Sequence, residues 1–208
     1  LIVKNAASVA RDTAEHTSLP KILKPLPLIS VRNLKVINIL KKYHVRCLWH
    51  FTDKSNLDSI VNFSGIISLR QITERKIAIP VFGGNQWSHD ADRHKGLDNY
   101  VHLTFLDDHP MLYMARQEQR IREPIWLSID LSVLLTPGVR YSADISNKSD
   151  VEIIDEDAAK NVIDFDVLFT YMDWRNPEIQ QRRQMSLKSE ILIPDIIPLD
   201  KIKAWKNG

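Results

Sequence analysis

The segment Lys188-Ser189-Glu190-Ile191-Leu192-Ile193-Pro194 sets one carboxylate at the head of an apolar run. Ile191, Leu192 and Ile193 read as a buried strand that Pro194 cuts short, because proline has no N–H to give a central ladder. A carboxylate at the lip of such a strand is costly to desolvate, so it needs a partner or a task. Far upstream, Trp49-His50-Phe51-Thr52 is a second polar island in an apolar strand. His50 and Thr52 alternate onto one face of that strand, with Phe51 on the other. Two polar islands on two strands point to one cleft between them. The competing readings are an edge-strand Glu190 paired with Lys188 or Arg183, and a His50 satisfied within the core.

The other clusters point to less. His89, Asp90, Asp92 and His94 crowd together, but a metal site needs ligands converging from ordered elements. Residues 82–98 show no sustained period and read as a long polar loop, so no metal is expected. No phosphate loop, dinucleotide glycine fingerprint, zinc-protease helix or nucleophile elbow is present.

The elements that must position these residues follow from period and punctuation. Residues 31–43 carry Leu34, Ile37 and Leu40 at helical spacing, and 45–51 reads as a strand. Asp53 suits the N-cap of a helix holding Leu57, Ile60 and Val61, which Gly65 would end before a strand at 66–69. Residues 100–105 alternate as a half-buried strand. Pro110 opens a helix over 111–119, and 124–130 is a further strand. Thr136-Pro137-Gly138 marks a turn. Short helices follow at 155–160 and 164–169, then a charged helix at 177–184 and a last strand at 202–205. Many short strands with interspersed helices predict an α+β domain over 31–208. Residues 1–30, punctuated by Pro20, Pro25 and Pro27, predict an arm or linker.

The chain has 208 residues with a net charge of only +2. That argues against coating duplex DNA through a broad basic face, but leaves room for a short nucleic-acid groove. No apolar run reaches the length of a membrane span, and no secretory signal stands in residues 1–10. Cys47 is the only cysteine. It reads as a buried strand thiol, and its lack of a partner fits a reducing, cytoplasmic setting.

The ordered set Trp49-His50-Phe51-Thr52-Asp53, Asn56-Leu57, Gly65-Ile66-Ile67-Ser68, Asn99-Tyr100-Val101-His102-Leu103-Thr104-Phe105, His109-Pro110-Met111-Leu112-Tyr113 and Ser189-Glu190-Ile191-Leu192-Ile193-Pro194 resembles the DarT family of DNA ADP-ribosyltransferase toxins over about residues 45–205. The resemblance implies an ADP-ribosyltransferase-like split mixed sheet, with flanking helices around an NAD cleft. It implies transfer of ADP-ribose from NAD to a base of single-stranded DNA, in a toxin–antitoxin or phage-defence system with a macrodomain antitoxin as possible partner. Glu190 matches the catalytic glutamate. His50 and Thr52 match the first NAD motif, and Asn56 matches an asparagine that reaches the cofactor or caps a loop. Arg93 is the best match for a site arginine, with Arg70 and Arg75 as rivals; its alternative is a solvated loop side chain. Trp174, Arg175, Arg182 and Arg183 fall where the fold reads its substrate, or else form a charged surface helix anchored by Trp174. An RNA or protein acceptor, or an inactive NAD- or nucleic-acid-binding module, is the alternative function.

Overall fold

A computed structural model describes residues 34–208; the arm expected over 1–30 and the first residues of the expected 31–43 helix lie outside them. Helix α1 (Lys35–Lys42) buries Val36, Ile37 and Leu40, the apolar stripe its period foretells. It packs on α6 (Glu156–Val162), where Glu156 accepts the Val36 N–H at 2.8 Å and Lys35 pairs with Asp157.

The main sheet takes the order β5 (Arg140–Ser142), β6 (Glu190–Pro194), β3 (Tyr100–Thr104), β1 (Cys47–Asp53), β4 (Pro124–Asp130) and β8 (Ile202–Asn207). Every pairing is antiparallel, where a mixed sheet is expected. One row crosses four strands: Trp49 on β1 faces Thr104 on β3, Thr104 faces Glu190 on β6, and Glu190 faces Ser142 on β5. That row is the only register position joining β1 and β3. Past it the two central strands part, which is the expected split.

Apolar residues alternating along β1, β3, β4 and β6 meet α1, α6 and α7 (Phe165–Phe169) on one side, with Leu48, Leu103, Ile125, Leu127, Ile129 and Ile191 fully buried. Burying each such side chain contributes about 1.5–3 kcal/mol. A smaller cluster joins Trp126, Trp49 and Phe51 to α5 (Pro110–Gln117).

Strands β2 (Gly65–Ile67) and β7 (Ile196–Pro198) form a separate ribbon. Gly65 does not end α2 (Leu57–Asn62). It lies in β2 at φ +153°, where a Cβ would come within 2.2 Å of the Ile197 carbonyl oxygen, so only glycine fits. The strand expected through Leu69 stops at Ile67, because Ser68 caps α3 (Leu69–Glu74) by accepting the Gln71 N–H. Asp53 caps a 3-10 turn, Lys54–Asn56, ahead of α2.

The largest correction concerns residues 82–98. They hold a ten-residue helix, α4 (Gln86–Lys95), capped by Asn85, which accepts the Ser88 N–H, and by Gly96 in the left-handed region. Its inward side chains Ser88, Asp92 and Lys95 are polar, so a search for apolar period passes over it. Cys47 is only half-buried, where a buried thiol is expected. No described helix is long and apolar enough to cross a membrane.

Candidate active site

Where β1 and β3 part, a cavity of about 240 Å³ opens. His50, Thr52, Asn56, Asp92, His102 and Glu190 all reach its wall. The two polar islands of the sequence therefore share one hollow.

Glu190 is only 5% exposed. It accepts the backbone N–H of Ser146 at 3.1 Å, the Ser146 hydroxyl, and a hydrogen bond from His102 Nδ1 at 3.2 Å. All three land on Oε2. The other oxygen, Oε1, lies 3.8 Å from His109 Nε2, beyond hydrogen-bond range. Burial alone would raise the Glu190 pKa, but its hydrogen bond and charge interaction with His102, with help from His109 and Ser146, hold it well below the usual carboxylate range. Neither Lys188 nor Arg183 is its partner: Lys188 faces Asp144 and Arg183 lies over the Trp174 ring.

His102 projects from β3, with its side chain 29% exposed. Burial pushes its pKa down, yet the Glu190 hydrogen bond and charge outweigh that and raise it above the ordinary imidazole value. The pair is ionic at neutral pH. His50 behaves oppositely. Its Nδ1 lies 2.9 Å from the His102 carbonyl oxygen, which can only accept, so Nδ1 carries the proton and Nε2 keeps a lone pair. Burial lowers its pKa to about 4 against that hydrogen bond, and the ring is neutral. This side-chain bond also satisfies a β3 carbonyl at the mouth of the split.

Two braces shape the cavity. Asn56 donates to Thr52 Oγ1 (2.9 Å) and to the Val81 carbonyl (2.7 Å), and accepts the Val81 N–H (3.0 Å). Its amide pins the chain between α3 and α4, which fits loop capping, and it lines the cavity as well. Opposite, Lys95 at the end of α4 donates to the carbonyls of Ser146, Lys148 and Val151 at 2.6–2.7 Å. Asn147 donates to Ser88 Oγ at 2.8 Å. Together they hold the loop that delivers Ser146 to Glu190. Asp92 and Asn147 each leave a buried side-chain oxygen without a partner beside the cavity. Burial raises the Asp92 pKa, His102 opposes, and Glu190 adds to the rise.

The arginines lie elsewhere. Arg93 is on the outer face of α4, with its guanidinium 2.8 Å from Asp90. Arg70 forks onto Asp98 (2.7 and 3.3 Å), and Arg75 is the exposed C-cap of α3. None of the three is among the residues lining the cavity, and no described arginine or lysine is.

The nominated substrate residues gather around α8 (Pro177–Ser186), which runs into β6 and Glu190. The Arg183 guanidinium stands 5.0 Å from the Trp174 ring centroid. Arg182 pairs with Asp164 at 2.7 Å and Arg175 with Asp173 at 3.0 Å. Tyr171 sets its ring edge-on to Trp174 and is 88% exposed.

Sequence reasoning missed His102, Ser146, Asp92, Lys95, His109 and Tyr171 as parts of this surface. For His102 a signal existed: a polar residue two before Thr104 on a strand whose other face is apolar. Ser146 sits in an irregular loop and had none. Among the described residues no group of three His, Cys, Asp or Glu side chains is arranged to hold a metal.

The profile of the single-stranded DNA thymidine ADP-ribosyltransferase family, DarT, matches residues 49–204. Among solved structures, DarT of Thermus sp. 2.9 in complex with ADP-ribosylated single-stranded DNA is similar, with a TM-score of 0.58 and 14% identity over 76% of this chain and 79% of that one. The same protein in complex with NAD+ gives 0.54 and 16%, over 76% and 79%. Thermosipho africanus DarTG in complex with ADP-ribose gives 0.52 and 16%, over 77% of this chain and 43% of that one. No curated protein sequence matches. The fold is that of an ADP-ribosyltransferase, and the chain belongs to the DarT family of single-stranded DNA thymidine ADP-ribosyltransferases.

Proposed function

We propose that this chain transfers ADP-ribose from NAD to the thymine of single-stranded DNA, as the cytoplasmic toxin of a toxin–antitoxin or phage-defence system. The observation that carries the reading is the shared cavity, with ionised Glu190 and neutral His50 on its two walls. The family match and the likeness to DarT structures in complex with NAD+ and with ADP-ribosylated DNA support the ligands. A macrodomain antitoxin as partner rests on the family resemblance, and the likeness to DarTG is in keeping with an antitoxin partner.

The chemistry follows from the side chains. The bond between the ribose C1 and the nicotinamide nitrogen breaks, and its electron pair leaves with neutral nicotinamide. Positive charge grows on the sugar, and an anion beside it lowers that barrier. Glu190 Oε1, which takes no hydrogen bond from the described residues, accepts from a ribose hydroxyl. It then takes the proton released when the base nitrogen bonds to C1. His50 Nε2, the free lone pair, accepts from another hydroxyl of the cofactor. Thr52 and Asn56 brace that wall. Arg93 reaches a phosphate only after leaving Asp90. An unpaired thymine stacks against Tyr171 and Trp174, with Arg175, Arg182 and Arg183 along the backbone, since flat aromatic faces and cations serve unstacked bases.

The test is incubation with NAD and thymine-containing oligonucleotides, single-stranded DNA beside RNA, read by mass spectrometry. A single ADP-ribose mass on the DNA supports the reading; modification of RNA or protein alone removes it.

A further inference from the structure

The hydrogen bonds to Glu190 are unevenly divided. Oε2 receives three, from Ser146 N, Ser146 Oγ and His102 Nδ1, and Oε1 receives none from the described residues. The Ser146 proton goes to the carboxylate, so its oxygen offers only lone pairs to His102 Nδ1, 3.3 Å away. Nδ1 therefore faces two acceptors and must carry a proton. The Leu97 backbone also favours the charged ring. Asp92 on α4 acts in the same sense through its charge. His109, the N-cap of α5, accepts the Met111 N–H at Nδ1 and stays neutral through burial. His50, on β1, is neutral and meets His102 through its backbone carbonyl. Among the described residues the pocket lining has no guanidinium or ammonium group, and this ring lies 3.2 Å from the acid.

We propose that His102 and Ser146 are positioning residues, an imidazolium–hydroxyl clamp that anchors Glu190 Oε2 so that Oε1 meets the sugar as an anion. The proposal rests on the reading of Glu190 as the transfer residue. Lys95 completes the clamp by tying down three carbonyls of the Ser146 loop. The device suits a carboxylate that must be buried and charged together: one oxygen bears the cost of desolvation and the other does the work.

The first experiment needs no catalysis. In histidine-labelled protein, with the His102 signal assigned from H102Q, NMR titration follows the ring in wild type and in E190Q. The clamp predicts a His102 pKa well above the ordinary 6.5 in wild type, falling by more than one unit in E190Q. A wild-type ring that titrates at or below 6.5 overturns it. The second experiment is kinetic. H102Q keeps an N–H donor and removes the charge. Its kcat falls roughly 10- to 100-fold, as when an outer partner of a site is lost. The acid limb of its kcat profile moves up by about 1–3 pH units, as for a carboxylate losing a nearby cation. The KM for NAD stays within about threefold, because a clamp acting through Glu190 serves the transition state. S146A lowers kcat in the same direction and gives a second arm if H102Q misfolds. An inactive E190Q beside an H102Q with wild-type kcat and acid limb overturns the clamp alone. A fully active E190Q overturns the reading of Glu190 and the clamp together.

Discussion

The cavity at the split and the surface around α8 solve opposite problems. In the cavity, polar groups are buried and fixed before any ligand arrives: Glu190 is held through one oxygen, His50 by a carbonyl, and Asn56 by both ends of its amide. Around α8 the polar groups are guanidiniums that lie nearer the solvent, paired with neighbours they can exchange: Arg182 with Asp164, Arg175 with Asp173, Arg183 with a ring and the Val167 carbonyl. Buried hydrogen-bonded charges lose much when one partner goes, whereas exposed pairs lose little. The cavity should therefore govern the chemical step and the surface should govern affinity for the acceptor strand.

The contrast gives ordered predictions. Glu190→Gln removes the anion and should lower kcat by about 10³-fold or more, the scale of a lost group aimed at developing charge. Its far-UV spectrum should match wild type. Tyr171→Ala and Trp174→Ala should each raise the KM for a single-stranded oligonucleotide by about 5- to 150-fold, the value of about 1–3 kcal/mol of base stacking, and leave the KM for NAD alone. An unchanged oligonucleotide KM in both would remove the α8 surface from substrate binding. His50→Ala should weaken NAD binding by about 3- to 10-fold, one neutral hydrogen bond, and calorimetry at constant pH would detect it. The smallest effect is expected at Arg182. Arg182→Ala should cost under about 1 kcal/mol of stability, since the pair it leaves is partly open to solvent, and should reduce the salt slope of DNA binding by about one.

Stability against pH separates the regions further. The folded His102 pKa is raised from 6.5 to about 9, so the stability it adds is complete below pH 6.5 and is lost as pH rises through about 9. The folded Glu190 pKa is lowered from 4.5, so its part is present above 4.5 and is lost as pH falls further. Thermal melts should show a midpoint that drops between pH 6.5 and 9 in wild type and drops less in H102Q.

The sequence made the apolar strands and their polar interruptions legible, because period-2 alternation and the odd polar residue within it are local facts. His50, Thr52 and Glu190 stood out for that reason. The helix α4 did not, because its inner face is polar and its caps, Asn85 and Gly96, were the only signs of its ends. Gly65 looked like a helix stop because glycine after a helix usually is one; its need comes from the Ile197 carbonyl across the ribbon, far away in sequence. Ser146 and Lys95 were invisible for the same reason: a loop carbonyl cradle and a hydroxyl on a carboxylate are tertiary contacts with no local pattern. The arginine expected in the cavity illustrates the limit of matching short strings. Arg93 occupies a plausible place along the chain, yet the helical phase of α4 turns Asp92 inward and Arg93 toward Asp90.

The central claim is that the buried acid of β6 transfers ADP-ribose to thymine in single-stranded DNA. The most direct measurement is intact-mass analysis of a one-thymine oligonucleotide after reaction with NAD, using wild type and E190Q side by side. The account predicts one ADP-ribose per oligonucleotide with wild type, none with E190Q, and none when the thymine is replaced. Equal modification by both proteins, or label on the thymine-free strand, would contradict it.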